Sequence, residues 1–224
     1  MSATLKIDIV SDVSCPWCII GYKSLTGALD KLSSQVAASI SWKPFELNPK
    51  MPVKGQLLTE HLHEKYGSTK ADSDQARDMI TARGAALGFQ FNFKDEGRIY
   101  NTFNAHRLLY WARQFNKQTE LKLALFELYF GKGGNPGNAV ELINVVKKIG
   151  LSADDARKIL ESDKFVNEVR EEETKYQEMG ISSVPTFIIN GKYMITGGQP
   201  IDAFVSTLER IVAEETQAGN KSSE

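Results

Sequence analysis

Cysteine is scarce in this sequence: 224 residues contain two, Cys15 and Cys18. A framework of several disulfides is therefore excluded, and so is a zinc site built from two cysteine pairs. Long apolar runs are missing as well. No stretch reaches 18 apolar residues, so no segment is expected to cross a bilayer as a helix. Residues 1–10 have no basic start followed by an apolar stretch of signal-peptide length, so secretion is not expected and a reducing, cytoplasmic setting is. An excess of one charge is also lacking, since Lys+Arg 27 against Asp+Glu 28 leaves a formal net charge of -1. That balance offers nothing to a nucleic acid or to an anionic membrane surface. Internal repeats and low-complexity tracts are absent, apart from a polar tail from about Glu214 to Glu224 that is expected to fray. What is present suffices for a core without staples: the composition is 42% hydrophobic, and the length suits one large domain or one domain carrying an insertion.

The two ends of the chain read differently from its middle. Leu5, Ile7 and Ile9 alternate with Lys6 and Asp8 and run into Val10, a strand period. Polar Ser11, Asp12 and Ser14 lead to Cys15-Pro16-Trp17-Cys18. From Pro16, a good first helical residue, Ile19, Ile20, Leu25, Leu29 and Leu32 keep one face apolar. Ile40 and Trp42 alternate with Ser39, Ser41 and Lys43, a second strand that Pro44 ends. This is a βαβ unit. Near the other end, Pro185–Ile189 and Lys192–Thr196 flank Asn190-Gly191, a strong hairpin turn. A final helix carries Ile201, Phe204, Leu208 and Ile211. From about Leu47 to Gly180 nearly every periodic segment is helical, with helices expected over 71–87, 101–116, 120–130, 138–149, 152–161 and 164–179, and a glycine-rich break at 131–137. The expected architecture is α/β, one sheet formed by both ends with a helical block inserted between them.

Cys15 and Cys18 stand three apart where a strand gives way to a helix, so both sulfurs can meet on the first turn. Unpaired N–H groups and the positive end of the helix dipole favour negative charge there. Cys15 is expected to be held partly as thiolate, motifs of this kind having pKa values of roughly 3.5–7.5. Cys18, one turn in, is placed to attack a mixed disulfide. Two other readings are a pair of simply buried thiols and half of a zinc site completed by His61 and His63; the alternate spacing of those histidines puts them on different faces of a helix. Val184-Pro185 opens the returning hairpin. Trp17 is either core or groove lining, with the groove preferred. Asp12 is either a solvated loop acid or a group that perturbs Cys18. Phe103, Tyr110, Trp111 and Phe115 read as core of the inserted block, and Glu171-Glu172-Glu173 as a solvated helix face.

Together Asp12-Val13-Ser14-Cys15-Pro16-Trp17-Cys18, Asn101-Thr102-Phe103-Asn104-Ala105-His106-Arg107 and Gly180-Ile181-Ser182-Ser183-Val184-Pro185-Thr186-Phe187 resemble the DsbA family. More closely they resemble its cytoplasmic FrnE-like branch, related to kappa-class glutathione transferases and 2-hydroxychromene-2-carboxylate isomerases. The resemblance implies a thioredoxin-like fold interrupted by a large all-helical insertion: residues 1–46 as the first part, 47–180 as the insertion, 181–224 as the second part. It implies dithiol–disulfide exchange on protein or small-thiol substrates, in the reductase or isomerase direction, by a monomer or homodimer. No metal or organic cofactor is implied, with glutathione as reductant or co-substrate. Cys15, Cys18 and a cis Pro185 are the implied catalytic residues. Pro16, Trp17, Val184, Asn101, His106 and Arg107 are the implied substrate contacts, the Val184 backbone pairing with an extended substrate strand. The reading of Asn101–Arg107 as a helix start with Asn101 as cap, a satisfied His106 and a salt-bridged Arg107 stands beside it. The transferase and isomerase relatives carry serine where Cys15 stands, which makes their chemistry the alternative; a chaperone-like binding module is the non-enzymatic one. Strongly oxidising relatives carry histidine where Trp17 stands, so a less oxidising couple is expected. With no second cysteine pair, a two-disulfide relay is excluded.

Overall fold

The computed structural model describes residues 3–221. Both ends of the chain meet in one four-stranded sheet of order β2-β1-β5-β6. Its strands are β1 (Ala3–Ser11), β2 (Val36–Pro44), β5 (Thr186–Ile189) and β6 (Tyr193–Thr196). β1 pairs in parallel with β2, Ile7 opposite Ile40, and antiparallel with β5, Ile9 opposite Phe187. A central strand covered on both faces needs apolar residues on both, and Leu5, Ile7, Ile9 and Val10 are all buried. Helix α1 (Pro16–Lys31) joins β1 to β2 and buries Ile19, Ile20, Leu25 and Ala28 against the sheet. It lies close because of Gly21, where a Cβ would stand 2.9 Å from the Phe187 ring and 3.2 Å from Pro185 Cγ. At the hairpin, Asn190 (φ 52°) and Gly191 (φ 68°) both adopt the left-handed region that this turn demands. Asn190 also ties the turn to β1, accepting from the Lys6 amide at 2.8 Å and donating its own amide to the Lys6 carbonyl at 2.8 Å.

Between β2 and β5 lie β3 (Gln56–Leu57), α2 (Leu58–Tyr66), α3 (Lys70–Ala86), β4 (Arg98–Ile99), α4 (Phe103–Ala112), α5 (Gln118–Phe126), α6 (Ala139–Lys148), α7 (Ala153–Leu160) and α8 (Val166–Glu178). α9 (Ile201–Lys221) closes the chain against α1. Each helix expected in the insertion is present within a few residues of its expected bounds. The insertion is helical but not purely so, since β3 and β4 form a two-residue antiparallel ladder too short to give a period. The helix expected around His61 and His63 is α2; it has no buried residue to set a stripe, so its bounds could not be read. α5 ends in a wide π-turn, Glu127–Gly131. The tail expected to fray is helical as far as Lys221; residues 222–224 lie outside the described ones.

Leu108, Leu121, Leu125, Leu142, Val146 and Ile159 form the insertion's core, and Val13, from the loop after β1, packs into it. Trp111 is buried there, whereas Phe115 stands 48% exposed because it closes a short 3-10 turn at the surface. Phe103 instead lies under the Arg170 guanidinium, 3.7 Å from its ring centre. The acidic run is not a uniformly solvated face. Glu172 pairs with Arg113, and buried Glu173 pairs with Arg170, because α8 turns that side toward α4 and β2.

Candidate active site

The loop after β1 is fixed by one carboxylate. Asp12, 1% exposed, accepts from the Ser14 amide at 3.2 Å and the Leu47 amide at 2.7 Å. Burial alone would raise its pKa. His106, the Leu47 amide and the Lys122 ammonium outweigh burial and hold it at about 2. Asp12 is therefore not a solvated loop acid; its backbone acts on Cys18, as the other reading had it, while its charge acts on Cys15.

That loop delivers Cys15 to the N-cap of α1 in extended conformation, with Pro16 as first helical residue and no side-chain cap on the end. The Cys18 amide donates to the Cys15 carbonyl at 3.1 Å, closing the first turn. Both cysteines are free thiols. Cys15 retains 4% of its surface and lines a cleft, whereas Cys18 is fully enclosed beneath it. The Val184–Pro185 bond is cis, and the Val184 carbonyl faces Cys15 Sγ at 3.6 Å. Sequence positions 15 and 184 are brought together because β5 pairs with β1.

The two thiols titrate as a unit. For Cys18, burial opposes charge, but the Cys15 thiol, the Lys122 ammonium, the Ser11 hydroxyl and the Asp12 backbone together bring it below the ordinary thiol value. Cys15 is pushed well above that value, first by its hydrogen bond to Cys18, then by burial and by the charge on Cys18. The pair thus gives up its first proton readily and its second with difficulty. This modifies the expectation of a thiolate on Cys15 alone: the cation lies on the Cys18 side and draws the charge inward.

The cleft has a volume of about 900 Å³. Pro16, Trp17 and Val184 line it beside Cys15, as expected for groove residues. The far wall belongs to the insertion: Leu58 and Leu62 of α2, Ile80 of α3, and Tyr129 and Phe130 of the π-turn. Arg83 of α3 reaches across to the Trp17 ring, 5.2 Å from its centre. Three expected contacts do not line the cleft. Asn101 donates to Glu46 at 3.1 Å and the Pro49 carbonyl at 3.3 Å, and accepts from the Phe103 amide at 3.0 Å. His106, 2% exposed, faces Asp12 with Nε2 3.6 Å from Oδ1. Arg107 donates to the carbonyls of Lys164, Ile159 and Ser162 and to the Asn104 side chain, tying α4 to the end of α7. It makes carbonyl contacts where a salt bridge was the other reading. Packing between α4, α7 and the Asp12 loop turns all three away from Cys15.

The main residue missed in the sequence is Lys122. It is fully buried, donates to the Ser11 carbonyl at 3.3 Å, and rests against Trp42 and Phe126, 5.3 and 5.1 Å from their ring centres. Its one signal is helical spacing from Gln118, which is buried on the same face and holds the Trp42 backbone by two bonds of 2.9 Å.

Comparison with known proteins agrees with this arrangement. A Bacillus subtilis protein, YwbO, itself uncharacterized, is 26% identical over 214 residues, 95% of this chain and 98% of that one. The crystal structure of a probable DsbA oxidoreductase from Streptomyces coelicolor superposes with a TM-score of 0.85 at 25% identity, covering 92% of this chain and 89% of that one. A 2-hydroxychromene-2-carboxylate isomerase shares the fold at 15% identity, TM-score 0.69, over 95% of this chain and 98% of its own. The cytosolic disulfide reductase DsbM from Pseudomonas aeruginosa, solved with glutathione, shares it at 13% identity, TM-score 0.62, over 93% and 99%. The model of the DSBA-like thioredoxin domain matches residues 6–209, insertion included, and with a dithiol at the mouth of α1 beneath a cis-proline loop, the chain belongs to that family.

Proposed function

We propose that the chain is a thiol–disulfide oxidoreductase of the FrnE-like branch, working in a reducing compartment through Cys15 and Cys18. The observation that carries this reading is the free dithiol at the start of α1, with one sulfur on a large cleft and the other shielded beneath it. Cys15 attacks one sulfur of a substrate disulfide, forming a Cys15 mixed disulfide and expelling the other sulfur as a thiolate. Cys18 attacks Cys15 Sγ, forming the Cys15–Cys18 disulfide and expelling the second substrate sulfur. Two electrons pass from the dithiol to the substrate, and the two protons of the pair end on the two released thiols. Glutathione or another dithiol returns the pair to its reduced form. In a glutathione-buffered compartment the reductase or isomerase direction is favoured. Trp17 and the Val184 backbone are proposed to hold the substrate beside Cys15.

Reduction of insulin disulfides by a dithiol tests the proposal. Wild-type protein accelerates the reaction, and Cys15→Ser abolishes the acceleration; equal rates for the two proteins overturn it. The size and largely apolar lining of the cleft favour one second reading, a glutathione-dependent transferase or isomerase, for which Cys15→Ser retains activity toward a small electrophile.

A further inference from the structure

Lys122 is one of the largest fully buried side chains, and burying its charge is costly unless something answers it. Three features indicate what answers it. First, the side chain is completely enclosed, yet its ammonium has one hydrogen-bond acceptor, the carbonyl of Ser11 at 3.3 Å. Three N–H donors with one partner leave attraction to spare. Second, Ser11 is the last residue of β1, and the short loop that follows it leads directly to Cys15 and the first turn of α1, so the lysine is anchored at the strand end that carries the dithiol. Third, the charged and titratable groups that meet here come from several elements: Asp12 from the loop after β1, Cys15 and Cys18 from α1, His106 from α4, and Tyr129 from the π-turn. Lys122 is the cation whose charge acts on Cys18.

Resting on the exchange reaction above, we propose that Lys122 is a positioning residue of the insertion that stabilises the thiolate of Cys18 and so governs how fast the mixed disulfide resolves. The dipeptide between the cysteines, Pro16-Trp17, supplies no charge. The cation instead comes from below, across the junction between insertion and sheet. In the mixed disulfide Cys15 is capped and Cys18 must lose its proton; the ammonium stabilises the resulting thiolate, while the proton passes to the departing substrate sulfur. Once the Cys15–Cys18 disulfide closes, the thiolate is gone and the ammonium keeps only Asp12 opposite it. The same contact therefore favours the dithiol over the disulfide. Burial brings the Lys122 ammonium from 10.5 down to about 8, against the pull of Cys18, Asp12 and Cys15, which is consistent with a cation bound to a charge that comes and goes.

Lys122→Met keeps the length of the side chain and removes the charge. The expected result is a mixed disulfide with a small aromatic disulfide that persists long enough to be trapped by acid quench. Its resolution is slowed roughly three- to fourfold for each unit by which the Cys18 pKa rises, because the thiolate becomes about tenfold rarer but more nucleophilic, while the first attack by Cys15 changes far less. Against a glutathione buffer at a pH where Cys18 is ionised, the equilibrium shifts toward the disulfide. Wild-type resolution together with an unshifted equilibrium overturns the proposal. A second measurement needs no variant: with carbon-13 at lysine Cε, the Lys122 resonance is titrated in the dithiol and disulfide forms of the wild-type chain. The midpoint is expected to be higher in the dithiol form, by linkage; equal midpoints overturn the proposal. Because the pair can be oxidised and reduced chemically, this readout stands even if insulin assays remove the exchange activity itself.

Discussion

Asp12 is a single residue on which loop, cysteine pair and insertion all lean. Its pKa in the folded chain is about 2 against an ordinary 3.8. A depressed carboxylate stabilises the fold above its unfolded value, and that contribution is lost as pH falls through the folded one. Acid unfolding should therefore steepen below pH 3.8 and continue toward pH 2. Asp12→Asn should lose most of that pH dependence, with a cost on the order of 2 kcal/mol at neutral pH, measured by urea unfolding across a pH series. An unchanged acid limb would show that Asp12 is not the group responsible. Asp12 and Lys122 also mark the limit of reading residues in order. Cys15, Cys18 and Pro185 announce themselves by type and neighbours. Lys122 does not, because a lysine on an amphipathic helix is ordinarily solvent-facing, and only the packing of α5 beneath β1 and β2 turns it inward.

Among the elements, α7 shows how a side chain that resembles a substrate contact can serve the fold. The last carbonyls of a helix have no partner within it. Arg107, reaching over from α4, is 4% exposed and meets the carbonyls of Ile159 and Ser162 at that end. Arg107→Ala should cost about 2–3 kcal/mol, the penalty of leaving buried polar groups unpaired, while the rate of insulin reduction by the remaining folded protein stays within about twofold of wild type, well under 1 kcal/mol in barrier. A large fall in rate at unchanged stability would return Arg107 to the substrate. Elements with a strong period were the legible ones: β1, α1, the helices α3 to α8, the Asn190-Gly191 hairpin and α9. Those set by tertiary contact were not. β3 and β4 are two residues each, and the helix carrying His61 and His63 lays down no buried stripe from which its ends could be set. α2 and β4 meet α3, the loop at 92–97 and the π-turn around the cleft, so its shape could not be read from the chain even though the sulfur that opens onto it could.

At the scale of the whole molecule, the insertion and the sheet do not behave as separate bodies. Val13 from the sheet side is buried in the insertion's core. Trp42 of β2 is held by Gln118 and Thr119 of α5, and Lys122 lies beneath the dithiol. Contacts shared in this way couple the two parts thermodynamically. Calorimetry should give one transition with matching calorimetric and van't Hoff enthalpies, and thiol accessibility of Cys18 should appear at the same temperature as loss of helix. Two transitions, or early exposure of Cys18, would separate the parts.

The pairing of Cys15 with Val184 has a consequence for synthesis. The two residues lie 169 positions apart, so the proline loop that covers the sulfur leaves the ribosome long after the helix that bears it. A contact that distant forms late, since the intervening chain must be ordered first. Until then the growing polypeptide carries a dithiol with no roof, open to any passing oxidant or disulfide. The sulfurs are therefore most open to oxidation while the chain is being made, before the loop that covers them exists.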